Sequence, residues 1–160
     1  MAIEIERKFL VSRTDFITGL TGTQFQQGYL SHGTATVRVR IAGEQAFLTI
    51  KGKTLGISRC EYEYAIPKAD AGNMLATLCD EAPIVKTRYL IEHAQKCWEV
   101  DVFHGANQGL IVAEIELKDE HEQLTLPDWI AEEVSRDVRY FNSQLAKNPY
   151  SQWPGNGDDT

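Results

Sequence analysis

Apolar and polar residues alternate with period two through most of the chain, the pattern of strands with two unlike faces. The alternation predicts strands near 2–11, 24–31, 35–42, 45–52, 58–66, 84–93, 96–103 and 110–118. Turn chemistry separates them at His32-Gly33, Ala42-Gly43, Gly52 to Gly56 and Gly105 to Gly109. Two segments read as helices. One follows Pro67 to about Glu81, with Met74, Leu75 and Leu78 as its apolar stripe, and the other lies around Tyr140 to Lys147. A short helix from Pro127 to Ala131 is also expected, while the stretch between Val11 and Thr23 has no clear period. The last residues, 149–160, are rich in Pro, Gly, Asn and Asp and read as a poorly ordered tail outside a single domain over 1–148. Eight strands joined by mostly short connections point to an antiparallel meander or barrel.

Side chains on a strand point alternately to opposite faces, so the alternation also sorts the chemistry. Glu4, Glu6 and Lys8 share one face of the first strand, opposite Ile3, Ile5 and Phe9. Arg38 and Arg40 alternate with Val37, Val39 and Ile41, and Lys51 sits with Thr49 opposite Leu48 and Ile50. Arg59, Glu61 and Glu63 oppose Cys60, Tyr62 and Tyr64, and Lys86 and Arg88 alternate with Val85, Thr87 and Tyr89. Glu99 and Asp101 face away from Trp98, Val100 and Val102, as do Glu114 and Glu116 from Ala113, Ile115 and Leu117. An ordinary wet sheet face is mixed in composition. These seven faces are nearly pure Arg, Lys, Glu and Asp. The charges either meet bulk water around an apolar interior or line a lumen while the apolar face packs against helices. An empty lumen of this kind carries a heavy desolvation cost. A polyanion with divalent cations satisfies both signs, because guanidinium and ammonium take phosphate oxygens and clustered carboxylates take metal. Alternation by itself leaves open which face points inward.

Composition narrows the classes. A chain of 160 residues suits one domain, and 42% hydrophobic residues is usual for a globular protein. Runs long enough for a membrane span are absent, and Glu4, Glu6, Arg7 and Lys8 stand where the apolar core of a signal peptide would lie, so the cytoplasm is the default location. Net charge is −7, which argues against a general nucleic-acid-binding surface and makes a local concentration of Arg and Lys more telling. The three cysteines, Cys60, Cys79 and Cys97, form no C-x-x-C pair and read as buried thiols. The four histidines have no metal-ligand spacing, and nothing pairs with them for catalysis.

Taken in order, Glu4-Ile5-Glu6-Arg7-Lys8, Val37-Arg38-Val39-Arg40, Thr49-Ile50-Lys51 and Arg59-Cys60-Glu61-Tyr62-Glu63 are followed by Lys86-Thr87-Arg88-Tyr89, Glu99-Val100-Asp101 and Glu114-Ile115-Glu116. This ordered set, running from about Ile3 to Ala146, resembles the CYTH superfamily, the triphosphate tunnel metalloenzymes. The resemblance implies a mainly β (α+β) fold, an eight-stranded antiparallel barrel with flanking helices whose charged faces line a tunnel. It further implies Mg²⁺ or Mn²⁺ as cofactor, with Glu4, Glu6, Glu114 and Glu116 as metal-binding carboxylates. Glu61 and Glu63 would hold a second metal or orient water, and Asp101 is grouped with them as a third candidate for activating water. Lys8, Arg38, Arg40, Lys51, Arg59, Lys86 and Arg88 would cradle phosphates, with Lys8 and Lys86 stabilising charge as the bond breaks.

Ser135-Arg136-Asp137-Val138-Arg139-Tyr140 matches the segment that closes the tunnel in small bacterial members, so Arg139 is a further candidate cation. Many of those members carry a lysine soon after the Arg-Tyr pair, where this chain has Phe141. Tyr29 matches a family position that could face substrate, and a core tyrosine is the equal alternative. Length, the Gly-Ile-Ser-Arg-Cys-Glu-Tyr-Glu segment and the Arg-Tyr element are most similar to inorganic tripolyphosphatases. The implied partner is a small-molecule triphosphate, with no nucleic acid and no membrane, and a homodimer is an open option. A class IV adenylate cyclase, and a non-catalytic polyphosphate- or nucleotide-binding module, are the competing readings.

Overall fold

All eight strands expected from the alternation form, and each pairs antiparallel with its neighbours. The computed structural model describes residues 3–155. Its strands are β1 (Ile3–Val11), β2 (Thr23–His32), β3 (Thr36–Ala42), β4 (Gln45–Lys51) and β5 (Ser58–Ile66), then β6 (Ile84–His93), β7 (Lys96–Phe103) and β8 (Ile111–Glu116). They run in the order β5-β4-β3-β2-β6-β7-β8-β1. The start of β1 pairs back onto β5, Glu4 opposite Arg59, and this closes the barrel. Its middle pairs with β8, so Lys8 lies opposite Glu114 and Glu6 opposite Glu116. Closure leaves no long free edge, which an eight-stranded sheet would otherwise expose.

Apolar residues pack in three patches, two outside the barrel and one within it. Helix α1 (Lys68–Thr77) lays Ala71 and Leu75 on Val39 and Ala46. Gly28 on β2 permits this close approach, since a Cβ there would meet Leu75 Cδ2 and Cys79 Sγ, each at 2.9 Å. The helix stops short of Glu81 and Leu78 is exposed, so only part of the expected stripe is used. The second patch packs Phe9, Trp98, Val100, Ala113 and Ile115 under Trp129, with Phe16 stacked on Trp129 at 4.1 Å. Here the expected short helix over Pro127 to Ala131 is replaced by a turn and a ninth strand, β9 (Ile130–Glu133), paired to the end of β1. The hydrogen-bonding edge of β1 opposite β8, beyond its contact with β5, outweighs the local helical tendency. Loops and β9 therefore cover much of the apolar face that helices alone were expected to cover. The outward face of β5 is left open, which is why Cys60, Tyr62 and Tyr64 are exposed. Cys97 is exposed and Cys79 half-buried, so none of the three thiols is in the deep core as expected.

The third patch lies inside one end of the barrel. Along the inward faces, charge gives way to apolar residues: Lys8 to Leu10, Lys86 to Ile84, Asp101 to Phe103 and Glu114 to Val112. These apolar positions pack with Tyr140 and with Leu145 of helix α2 (Asn142–Lys147). Trp153 completes the cluster, 5% exposed and edge-on to Tyr140 at 5.0 Å. The segment from Pro149 to Gly155 is thus packed on the domain rather than being the loose tail expected, with a turn of 3-10 helix at Tyr150–Gln152. Residues 156–160 of that tail lie outside the described residues. Among the described residues no helix is long and apolar enough to cross a membrane.

Candidate active site

Barrel closure turns the charged faces inward around a cavity of about 200 Å³. Lys8, Arg38, Arg40, Lys51, Arg59, Lys86 and Arg88 bring seven cations to its wall, and Glu4, Glu6, Glu61, Glu63, Glu99, Glu114 and Glu116 bring seven carboxylates. Tyr29, Thr36, Asn142 and Ser143 complete the lining. Carboxylates and cations are interleaved. Lys51 Nζ lies 3.1 Å from both Glu4 and Glu61, and Lys8 Nζ is 3.7 Å from Glu114. Arg38 donates to Thr49 Oγ1 at 3.2 Å and to Glu63 at 3.4 Å. Arg59 Nε reaches Glu4 at 3.5 Å.

Arg88 and Lys86 are set by a single buried carboxylate. Asp101 Oδ1 accepts from Arg88 Nε at 2.7 Å, and its Oδ2 accepts from Arg88 Nη2 at 2.9 Å and from Lys86 Nζ at 2.8 Å. Burial works to raise the Asp101 carboxyl, but Lys86 and Arg88 outweigh it and hold the group well below the usual carboxylate range. With no exposed surface and both oxygens engaged, Asp101 does not reach the cavity. Expected to activate water, it lies instead behind Lys86 and Arg88, off the cavity wall. Arg139, expected to add a cation, also lies off the cavity. It pairs with Asp137 at 2.7 Å on the outside, 4.8 Å from the Trp153 ring, and does not line the cavity. A surface counter-ion two residues away and the aromatic face of Trp153 take it there.

The end of the cavity nearest the C-terminal segment is sealed by the apolar cluster and by Tyr140, Phe141 and Asn142. The Tyr140 carbonyl accepts from Lys8 Nζ at 3.4 Å. The Phe141 ring stands where a lysine was noted as usual, with Lys8 Nζ at 5.2 Å and Arg59 at 5.9 Å from its centre. Behind Glu4 and Glu6, a recess of about 20 Å³ opens between Thr54, Ile57, Ser135 and Phe141, room for about one water. Tyr29 both lines the cavity and belongs to the apolar cluster. Glu99, which accepts from Arg88 Nη1 at 3.0 Å, was already visible two positions before Asp101 on the same strand face. Gln27, Asn142 and Ser143 carried no comparable signal. None of the four histidines lines the cavity.

The model of the CYTH domain matches residues 2–150. The chain belongs to the CYTH family. This CYTH protein is 46% identical over 154 residues to an inorganic triphosphatase of Acetivibrio thermocellus, covering 96% of the chain and 99% of that protein. It is 36% identical over 149 residues to an inorganic triphosphatase of Nitrosomonas europaea, covering 89% of the chain and 96% of that protein. The crystal structure of the inorganic triphosphatase NE1496 superposes with a TM-score of 0.65 or 0.64 in two determinations, the latter at 33% identity over 89% of this chain and 96% of the other.

Crowding and burial shift the protonation of several carboxylates in the CYTH barrel. Burial, then Glu114 and Glu4, push Glu6 up to about 8. Burial raises Glu61, helped by its hydrogen bond to Glu4; burial also works to raise Glu4, but Lys51, the hydrogen bond with Glu61 and Arg59 hold it low. A divalent ion beside Glu6 would relieve that repulsion. Among the described residues no three carboxylates, histidines or cysteines form a ready-made metal cage.

Proposed function

We propose that this chain is an inorganic triphosphatase, hydrolysing the terminal phosphoanhydride of tripolyphosphate to pyrophosphate and orthophosphate. The observation that carries the reading is the cavity inside the barrel in which seven cations interleave with seven carboxylates. Glu4, Glu6, Glu114 and Glu116 would hold Mg²⁺ or Mn²⁺, which when bound supplies charge neutralisation and Lewis acidity at phosphate oxygens. Arg38, Arg40, Lys51, Arg59 and Arg88 bind and align the phosphate chain, the positioning on which phosphoryl transfer depends. Water attacks the terminal phosphorus in line, the bridging P–O bond breaks, and pyrophosphate leaves. Lys8 and Lys86 stabilise the charge that develops, at about 3–4 kcal/mol for a well-placed donor. The proton of the attacking water passes to Glu61 or Glu63, since Asp101 is enclosed behind Lys86 and Arg88. A cytoplasmic location fits the three unpaired cysteines.

Inorganic tripolyphosphate, ATP and thiamine triphosphate, each assayed with Mg²⁺, Mn²⁺ or EDTA, test the reading. Rapid EDTA-sensitive orthophosphate release, fastest from tripolyphosphate and reduced by at least 100-fold in Glu4→Gln and Glu116→Gln, is expected. Cyclic AMP and pyrophosphate from ATP would replace the reading with adenylate cyclase. Tight binding without turnover would make the chain a binding module.

A further inference from the structure

We propose that Gln27 and Asn142 form a neutral bridge that positions Arg40 and Lys86 for phosphate, tying assembly of the cation set to docking of the C-terminal segment. The inference deepens the triphosphatase reading and rests on it. Lys86 is completely buried and its ammonium has three N–H donors. One goes to Asp101 Oδ2 at 2.8 Å and one to Asn142 Oδ1 at 2.9 Å, leaving the third for a phosphate oxygen in the cavity. Gln27, also without exposed surface, accepts from Arg40 Nε through Oε1 at 2.8 Å. Its Nε2 donates to Asn142 Oδ1 at 3.1 Å and to the Tyr29 hydroxyl at 3.2 Å. The orientation of both amides is forced, because Arg40 and Lys86 are donors only and each needs an oxygen facing it.

Charge explains the choice of amides. Asp101 already cancels part of the charge of Lys86 and Arg88. A second carboxylate at Asn142, beside Asp101, would cancel more of the Lys86 charge and repel an anionic substrate. An amide oxygen holds the ammonium in place and leaves its charge available. Asn142 opens α2, and Leu145, one turn later, is anchored in the apolar cluster with Tyr140 and Trp153. Lys86 therefore has both its anchors only when that segment is docked.

The test uses the full-length chain and compares Asn142→Ala, Asn142→Asp and Gln144→Ala, the last being an exposed position on the same helix. Readouts are Mg²⁺-dependent tripolyphosphate hydrolysis, calorimetric binding of tripolyphosphate in EDTA, and melting temperature. Asn142→Ala should lower kcat at least tenfold. Asn142→Asp, which keeps the acceptor, should fold like wild type and weaken binding at least tenfold. Gln144→Ala should match wild type in all three. Wild-type binding by Asn142→Asp, a kcat for Asn142→Ala within twofold of wild type, or equal damage from Gln144→Ala would overturn the bridge. If Asn142→Ala does not fold, Asn142→Asp decides by itself. A wild-type protein that neither binds nor cleaves tripolyphosphate would overturn the triphosphatase reading and the bridge with it, whereas normal turnover with unaffected Asn142 variants overturns the bridge alone.

Discussion

Lys86 illustrates how far a residue's chemistry departs from its type. Burial pushes its ammonium down to about 7, against the pull of Asp101. An unfolded lysine titrates near 10.4, so between about pH 7 and 10 the unfolded chain binds more protons than the folded one. The contribution of this group to stability consequently rises with pH across that window and is lost as pH falls towards 7. Thermal melts in EDTA from pH 6.5 to 10 should show a smaller rise in melting temperature for Lys86→Met than for wild type. An unchanged slope would mean that the lysine is fully charged throughout. At this scale the sequence was a good guide to identity and a poor one to role. Asp101 and Arg139 were both chosen by chemical type, yet one is enclosed behind cations and the other pairs with Asp137 on the surface. Residue type does not carry information about which neighbour a distant strand delivers.

Elements divide the barrel into a wet section and a dry one. Inward positions of β1, β6, β7 and β8 are charged over part of their length and apolar beyond it, so the same strand face lines the cavity and then its seal. The run from Ser135 to Asn142 crosses that boundary. Ser135 Oγ accepts from the Lys8 backbone N–H at 2.9 Å, and Phe141 offers its ring to Lys8 and Arg59. Phe141→Leu keeps the apolar bulk and removes the π-face. Loss of about 1 kcal/mol of cation–π attraction predicts a kcat/KM for tripolyphosphate lowered roughly fivefold with little change in melting temperature. Steady-state kinetics beside a melting curve would check it, and an unaltered kcat/KM would reduce Phe141 to a simple plug. Strand boundaries were legible because period two is imposed by local backbone geometry, whereas β9 was not. Its four residues become a strand only because the end of β1 presents hydrogen-bonding groups there.

At the scale of the whole molecule, the C-terminal residues behave as part of the domain. Trp153 donates its indole N–H to the Asn148 carbonyl at 3.0 Å and packs with Tyr140 and Tyr150. Trp153→Ala should cost about 3 kcal/mol, as large-to-small changes in packed clusters do. For a chain of this size that corresponds to a fall in melting temperature of roughly 10 °C, measurable by calorimetry. A change under 2 °C would return the segment to the loose tail that its Pro, Gly and Asn content suggested. Composition described the backbone tendencies of 149–155 and was silent on the single tryptophan that holds them.

The amino-acid sequence by itself determined which side chains share a face, and so placed nearly all the charge of seven strands on one side of the sheet. That follows from covalent geometry and needs no knowledge of distant contacts. Only the tertiary structure decided that this side faces inward, that one end of the barrel is sealed by apolar residues, and that Asn142 meets Lys86 across 56 positions of chain. Those outcomes depend on β1 closing against β5 and on the docking of the C-terminal segment. They are free-energy balances summed over long-range contacts, which no local period encodes.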